Sequence, residues 1–378
     1  MPDVHVVRLD AVGGVERLLC AYLVNGHGGD RVIVAGQGVH PVLALPAGAV
    51  LGGYRRWGKL PIPRALRAWR LSRMLRAARP DRVVCWNTAL PGMLSAGPAP
   101  VVYYDHGASW TPSEELAVLI AGCAGVVACG TSSARMIALG FTAQPRALIT
   151  VDNPGGRRPE VAVRSFPNGR PLVLGVAGRL VGVKGFVLAV RALAELPEAT
   201  LVVAGAGPEA EALRRVASGL GVEPRLRMLG TVADMSAFYR QIDLLLMPSL
   251  RDPFPMVCLE AAAHGVPVVG AAVDGIPSIV GSGGHCIEPT LDLDGYRSLG
   301  GTTDTVPPRI YLAGSDALGE PRAVAPADLA SAVRKLQDPT IYTAASAAAL
   351  ATAASRADAP GWAGQLHAAI QSIAPVSR

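Results

Sequence analysis

Hydrophobic positions along the chain fall into short β-branched runs, separated by longer stretches with apolar residues at helical spacing. In the first half the runs at 4–9, 31–35, 82–86, 101–104, 125–129 and 147–151 predict strands, and 14–24, 63–79, 112–119 and 131–139 predict helices. A polar stretch at 164–171, with Pro, Asn and Gly, reads as a linker. The rhythm then restarts. Strands are expected at 172–177, 200–204, 226–229, 244–248 and 266–270, with helices at 185–194, 208–220, 232–240 and 255–264 between them. Such βα alternation predicts a parallel, doubly wound sheet in each half. The segment 289–325 breaks the pattern with Gly, Pro, Thr and Asp, which leaves a lid, an acceptor wall or disorder open. Helices resume at 326–336, 341–356 and 361–373. The expected division is an N-terminal Rossmann-like domain at 1–163, the linker 164–171, and a C-terminal Rossmann-like domain at 172–356 with an irregular insertion at 289–325.

Composition narrows the class. The 378 residues are ample for two cores, and half are hydrophobic while only 5% are aromatic. That mix suits strands buried on both faces. The formal charge of +6 favours anionic partners or a plainly solvated basic surface. None of the six cysteines forms a C-x-x-C pair, so they read as reduced core residues rather than a disulfide frame or zinc site. Asp3, His5, Arg8 and Asp10 interrupt the start, so no signal peptide is expected. The longest apolar stretch, 116–130, is too short to span a bilayer. These features predict a cytoplasmic protein.

Four motifs could carry chemistry. Gly13 and Gly14 stand between the first strand and first helix, where backbone amides can approach an anion. His106, in the run YYDHG, follows a strand at the edge where open α/β sheets bind ligands. Arg179 and Lys184 stand five residues apart at a helix start and suit a diphosphate. The most informative run is 251–261, RDPFPMVCLEA. Asp252 lies in its loop and Glu260 on its helix, with the amides of Met256 and Val257 at the helix start. Each feature also has a purely structural explanation: a tight turn, a satisfied histidine, a surface loop, a capping carboxylate.

Taken in order, GGVER, DHG, GRL-x3-KG, AGAGPE, LG and DPFPMVCLEA resemble the retaining family 4 glycosyltransferases of GT-B fold. The resemblance spans nearly the whole chain and is weakest in the N-terminal half and in 289–325. It implies two Rossmann-like domains facing across a cleft, with the final helix, 357–378, crossing back to the N-terminal one. It implies transfer of a hexosyl-type group from a nucleoside diphosphate sugar to a hydroxyl acceptor, without a metal or other cofactor. By resemblance, Arg179 and Lys184 hold the donor phosphates and Glu260 the ribose. Asp252 and Phe254, Pro255, Met256 and Val257 meet the donor sugar, Gly13 and Gly14 the diphosphate, and His106 the sugar near its 6-position. Gly230 and Thr231 lie near the base. Two positions depart from the pattern: Asp252 replaces the usual Glu, and Ser278 stands where an acidic residue is common. A nucleotide-sugar epimerase and a catalytically weakened sugar-nucleotide binder are the alternatives.

Three further features complete the picture. Gly205-Ala206-Gly207-Pro208-Glu209 imitates a dinucleotide fingerprint and keeps a nicotinamide dehydrogenase in view, but Pro208 and Glu209 sit where a pyrophosphate would dock. Asp292 and Asp294 imitate a metal-binding pair, with no strand before them, and no metal is assigned. The segment 54–79 carries nine cations, which leaves a peripheral contact with an anionic membrane open beside a plain solvated helix. Its arginines recur every third residue and drift by about 60° per step around a helix, so no clean basic face is expected. No nucleic-acid module is recognisable, and none is expected as a partner.

Overall fold

The computed structural model describes residues 2–10, 13–57, 60–63, 66–90, 92–155, 160–356 and 358–376. The chain divides into two compact units, Met1–Pro154 with Ala357–Arg378, and Gly155–Arg356.

The first unit opens with β1 (Val4–Leu9), buried except at Arg8, followed by α1 (Gly14–Val24). Then follow β2 (Arg31–Val39), β3 (Val50–Gly53), and the antiparallel pair β4 (Arg56–Trp57) and β5 (Leu60–Pro61). After α2 (Arg67–Ala78) come β6 (Val83–Trp86), β7 (Val101–Asp105), α3 (Glu114–Gly122), β8 (Gly125–Ala128), α4 (Thr131–Gly140) and β9 (Leu148–Thr150). Seven strands form one parallel sheet in the order β3-β2-β1-β6-β7-β8-β9. The order reverses between β1 and β6, the switch point where such sheets bind ligands. Ser113 starts α3 by accepting a hydrogen bond from the Leu116 N–H, with Glu114 and Glu115 in the first turn. The C-terminal helix Ala359–Ile373 belongs to this unit, where buried Trp362 meets the edge of Tyr22 and His367 Nδ1 lies 3.1 Å from the Tyr22 hydroxyl.

The second unit runs β10 (Leu172–Ala177), α5 (Phe186–Ala194), β11 (Ala199–Ala204), α6 (Ala210–Gly219), β12 (Leu226–Gly230), α7 (Met235–Gln241), β13 (Leu244–Met247), α8 (Met256–Ala263), β14 (Val268–Ala271), α9 (Ile276–Val280) and β15 (Gly284–Ile287). Its six-stranded parallel sheet has the order β12-β11-β10-β13-β14-β15, with the switch point between β10 and β13. Next come α10 (Leu293–Ser298), the hairpin of β16 (Ile310–Leu312) and β17 (Ala317–Gly319), α11 (Pro326–Lys335) and α12 (Pro339–Ala354).

Two expectations need correction, and one reading left open is narrowed. The units part at Pro154, so 164–171 is not a spacer between them. Arg164 is bonded through its guanidinium to the carbonyls of Tyr239, Ile242 and His264, and Arg170 forks onto Asp243. A polar run that reads as flexible is thus fastened by two arginines to backbone acceptors and a buried carboxylate. Second, 289–325 is a built segment, not a disordered one. Tyr296 donates to the Gly182 carbonyl, Thr302 to Glu209, and Thr305 accepts from the Val183 N–H. Third, the helix expected at 63–79 begins at Arg67. Of the nine cations in that region, Lys59 and Arg64 lie outside the described residues. The six cysteines are free thiols. Among the described residues no helix is long and apolar enough to cross a membrane.

Candidate functional site

Loops at the carboxyl ends of β10, β13 and β14 gather charged groups in the second unit. After β10 the chain turns at Gly178, whose φ of 146° favours glycine, leaving Arg179 exposed. A single turn at Gly182–Lys184 then aims Lys184 at the next loop, where its Nζ lies 2.6 Å from Asp252 Oδ2. Asp252 is nearly buried, and its N–H donates to Asp274 Oδ2 at 2.9 Å. The other oxygen of Asp274 accepts from the Tyr311 N–H at 2.8 Å. Asp274 is itself in the left-handed region, at φ 49°, which Asp tolerates better than most side chains. At Gly275 a Cβ would meet the Pro253 carbonyl oxygen at 2.2 Å, so only glycine lets these loops close together. Asp274 was not anticipated as part of the site; the Asp-Gly turn signal was its only mark in the sequence.

On the next helix, Glu260 Oε2 accepts from the buried Tyr239 hydroxyl at 2.7 Å. One turn later the ring of His264 spans the Glu260 carbonyl and Ser236 Oγ, each 2.8 Å away. Glu260 is therefore a pre-oriented carboxylate, held by a tyrosine that no local pattern pointed to. Phe254 and Pro255 are buried ahead of α8, Met256 and Val257 are half-buried, and their amides open the helix, where N–H groups lack intrahelical acceptors. Gly230, at φ 67°, ends β12 and accepts from the Gly205 N–H, with exposed Thr231 beyond it.

Both sequence decoys have structural explanations. A Cβ at Gly205 would meet the Gly178 carbonyl oxygen at 1.8 Å, and one at Gly207 the Leu180 carbonyl oxygen at 2.4 Å. These glycines let two turns interlock. Asp292 accepts from the Gly295 N–H at the start of α10, and Asp294 pairs with Arg297.

The first unit holds a different kind of site. Asp105, at the end of β7, is fully buried and accepts from the Tyr103 and Ser109 hydroxyls, the Ser133 hydroxyl, and the N–H groups of Gly107 and Ser109. That carboxylate fixes the turn bearing His106. The imidazole stacks 5.8 Å from Trp86 and lies 4.1 Å from Tyr104, ring to ring. Its Nε2 is sealed from solvent and has no hydrogen-bond partner among the described residues. Burial pushes its pKa down to about 3, so the ring is neutral near pH 7. Asn87, at φ 48°, accepts from the N–H groups of His106 and Ala108. A cavity of about 270 Å³ opens beside these groups at the switch point, with Arg8, Glu16, Asn87 and Thr88 among its walls. Gly13 carries an unexpected restriction: its N–H is held at 2.9 Å by Glu16 Oε2, so a diphosphate there would have to displace a carboxylate. Its neighbours Ala11 and Val12 lie outside the described residues, and Gly14 is exposed.

The candidate residues thus divide between the units: Gly13, Gly14 and His106 in the first, and the rest in the second. Residues 158–294, which include Lys184, Asp252 and Glu260, match the family model for glycosyl transferases group 1. That segment is similar to the group 1 glycosyl transferases. Among similar proteins, the D-inositol 3-phosphate glycosyltransferase of Mycobacterium tuberculosis is 35% identical to this chain over 147 residues, 37% of this chain and 30% of that one. The match thus spans under a third of the curated relative's length. Among solved structures, Anabaena HepE in complex with UDP and glucose has a TM-score of 0.72 at 18% identity, covering 98% of this chain and 100% of that one. A glycosyltransferase from Rickettsia africae has a TM-score of 0.72 at 13% identity, covering 100% and 99%. At these identities the likeness shows the fold, which is of the GT-B class.

Proposed function

We propose that this protein is a retaining glycosyltransferase that moves a hexosyl-type group from a nucleoside diphosphate sugar to a hydroxyl acceptor. The observation that carries the reading is the Lys184–Asp252 pair, buttressed by Asp274, inside the group 1 glycosyl transferase segment. A lysine on a glycine turn, beside an exposed arginine, suits a leaving diphosphate. When donor arrives, Lys184 exchanges a carboxylate for phosphate oxygens, and Asp252 is released toward the sugar hydroxyls. Glu260, aimed by Tyr239, takes the ribose, and the amides of Met256 and Val257 lie where a helix start favours negative charge. Neutral His106 offers a hydrogen bond to an uncharged hydroxyl without adding charge. In a retaining transfer the acceptor attacks from the face the diphosphate leaves, and a phosphate oxygen takes its proton. The polar cavity beside Arg8, Glu16 and Asn87 suits a small hydroxylated acceptor group.

UDP-glucose is the first donor to test, because related HepE structures hold UDP and UDP-glucose. Chromatography of a donor and acceptor panel should detect glycoside and free nucleoside diphosphate in equal amounts, with the anomeric configuration kept. Full turnover by Arg179→Ala/Lys184→Ala would overturn the phosphate assignment. The commitment of Asp252 to Lys184 favours one second reading, a sugar-nucleotide binder without turnover. Donor binding by thermal shift with no transfer, and transfer regained in Asp252→Glu, would select it.

A further inference from the structure

Segment 289–325 of the second unit, which interrupts the strand–helix rhythm, reaches the loops of both Lys184 and Asp252. On the lysine side, the single turn Gly182–Lys184 is too short to satisfy its own backbone. The Val183 N–H donates instead to Thr305 Oγ1, 122 residues away in sequence, at 3.0 Å. The Gly182 carbonyl accepts from the Tyr296 hydroxyl at 2.6 Å as well as from the Gly185 N–H. A Cβ at Gly182 would meet the Thr302 carbonyl oxygen at 1.9 Å, so the segment lies directly against the turn. The turn is tied in its other direction to the loop of Asp252, because the Val183 carbonyl accepts from the Leu250 N–H at 2.8 Å. A lysine carries its charge on a flexible four-carbon stem, so its ammonium is placed only as well as the backbone beneath it.

On the carboxylate side, the hairpin of β16 and β17 from the same segment makes the corresponding contact. Asp274 and Tyr311 pair reciprocally: the Asp274 N–H donates to the Tyr311 carbonyl at 3.0 Å, and Asp274 Oδ1 accepts from the Tyr311 N–H at 2.8 Å. The Tyr311 hydroxyl closes back onto Asp316 at 3.0 Å, within the hairpin. Asp274 Oδ2 holds the Asp252 N–H, so the hairpin fixes the loop of Asp252 through one intermediate residue. One continuous stretch of chain thus grips the lysine turn near its start and the carboxylate loop near its end. Tyr296 is fully buried, whereas Thr305 is exposed and can be changed without disturbing the core.

We propose that Tyr296 and Thr305 are positioning residues for the donor diphosphate: they fix the turn from which Lys184 reaches it, while the hairpin holds Asp252 at the matching distance. This rests on the glycosyltransferase reading, so the test begins with binding and not with turnover. UDP, GDP and ADP are titrated into the whole chain by calorimetry, and whichever the wild type binds is the probe. Thr305→Val keeps the shape of the side chain and removes the oxygen that accepts from Val183. It should weaken binding about fivefold at an unchanged melting temperature, and Thr305→Ser should restore it. Tyr296→Phe should weaken binding by a similar factor, and the two changes together about tenfold or more. In a Lys184→Ala background Thr305→Val should cause no further loss, because its effect passes through the lysine. In transfer assays the loss should fall on kcat more than on KM, since negative charge grows on the diphosphate as it leaves. Wild-type binding by Thr305→Val, no recovery in Thr305→Ser, or equal losses with and without Lys184 would each overturn the positioning role while the donor site stands. A wild-type chain that binds none of the three nucleotides would overturn the donor-site reading itself, and the positioning role with it.

Discussion

The two units use one architecture, a parallel sheet with a switch point, yet arm its carboxyl edge differently. In the second unit the edge carries fixed charge: Lys184 on Asp252, Asp274 beneath it, Glu260 on Tyr239. At the carboxyl edge of the first, the buried carboxylate of Asp105 is spent on five neutral donors, and the group it presents, His106, is an uncharged ring among aromatics. Charge held ready suits an anionic leaving group. An uncharged imidazole, its Nε2 without a hydrogen-bond partner among the described residues, suits a hydroxyl. The difference teaches that the fold supplies position alone, and the loop residues decide what can bind.

The contrast can be broken in four places. The largest effect is expected from Arg179→Ala/Lys184→Ala, which should lower kcat/KM for transfer about 10³-fold or more in a steady-state assay. Loss of only a few fold would mean that the charged edge is structural. In the first unit, Asp105→Ala strands five buried donors and should cost about 4 kcal/mol in denaturant unfolding, while nucleotide binding to any surviving folded protein persists. A change of under about 1 kcal/mol would show that the turn does not depend on this carboxylate.

The neutral state of His106 makes a pH prediction of intermediate size. Its folded pKa, about 3, lies below the ordinary 6.5, so the unfolded chain binds more protons between those values. The stabilisation is complete above pH 6.5 and is lost as pH falls toward 3. From pH 7 to 5 the wild type should lose about 2 kcal/mol more than His106→Gln in urea unfolding. Parallel curves for the two proteins would place a charged imidazole at this edge and remove the contrast. The smallest effect is expected from Tyr239→Phe, which frees Glu260 without moving its charge. Nucleotide affinity by calorimetry should fall about fivefold, with kcat little changed. An effect on kcat alone would assign Glu260 to the reacting sugar instead of the ribose.

Most of the strand and helix order was legible because buried parallel strands leave continuous apolar runs and helices leave a 3.6-residue period. β1, α1 and β10 occur where the pattern placed them. β3 and β15 were missed for a physical reason: both are short edge strands, and two glycines in VLGG and a glycine and histidine in GHCI hide them. The motif loops at Lys184, Asp252 and Glu260 were also legible, because turn residues and carboxylates stand at fixed offsets from strand ends.

Their partners were not. Lys184 and Asp252 are 68 residues apart, and Asp274 and Tyr311 are 37 apart. Nothing local says that the lysine faces a carboxylate or that Tyr239 aims Glu260, whereas Glu16 meets the Gly13 amide within one helical turn, a local contact. The sequence by itself determined the two sheets, the glycine turns and the residue types at the sheet edges, since these follow from periodicity and backbone sterics. The tertiary structure alone decided which charges pair, which histidine is neutral and which arginines remain exposed. Those properties depend on desolvation and on distances between groups that chain order does not encode.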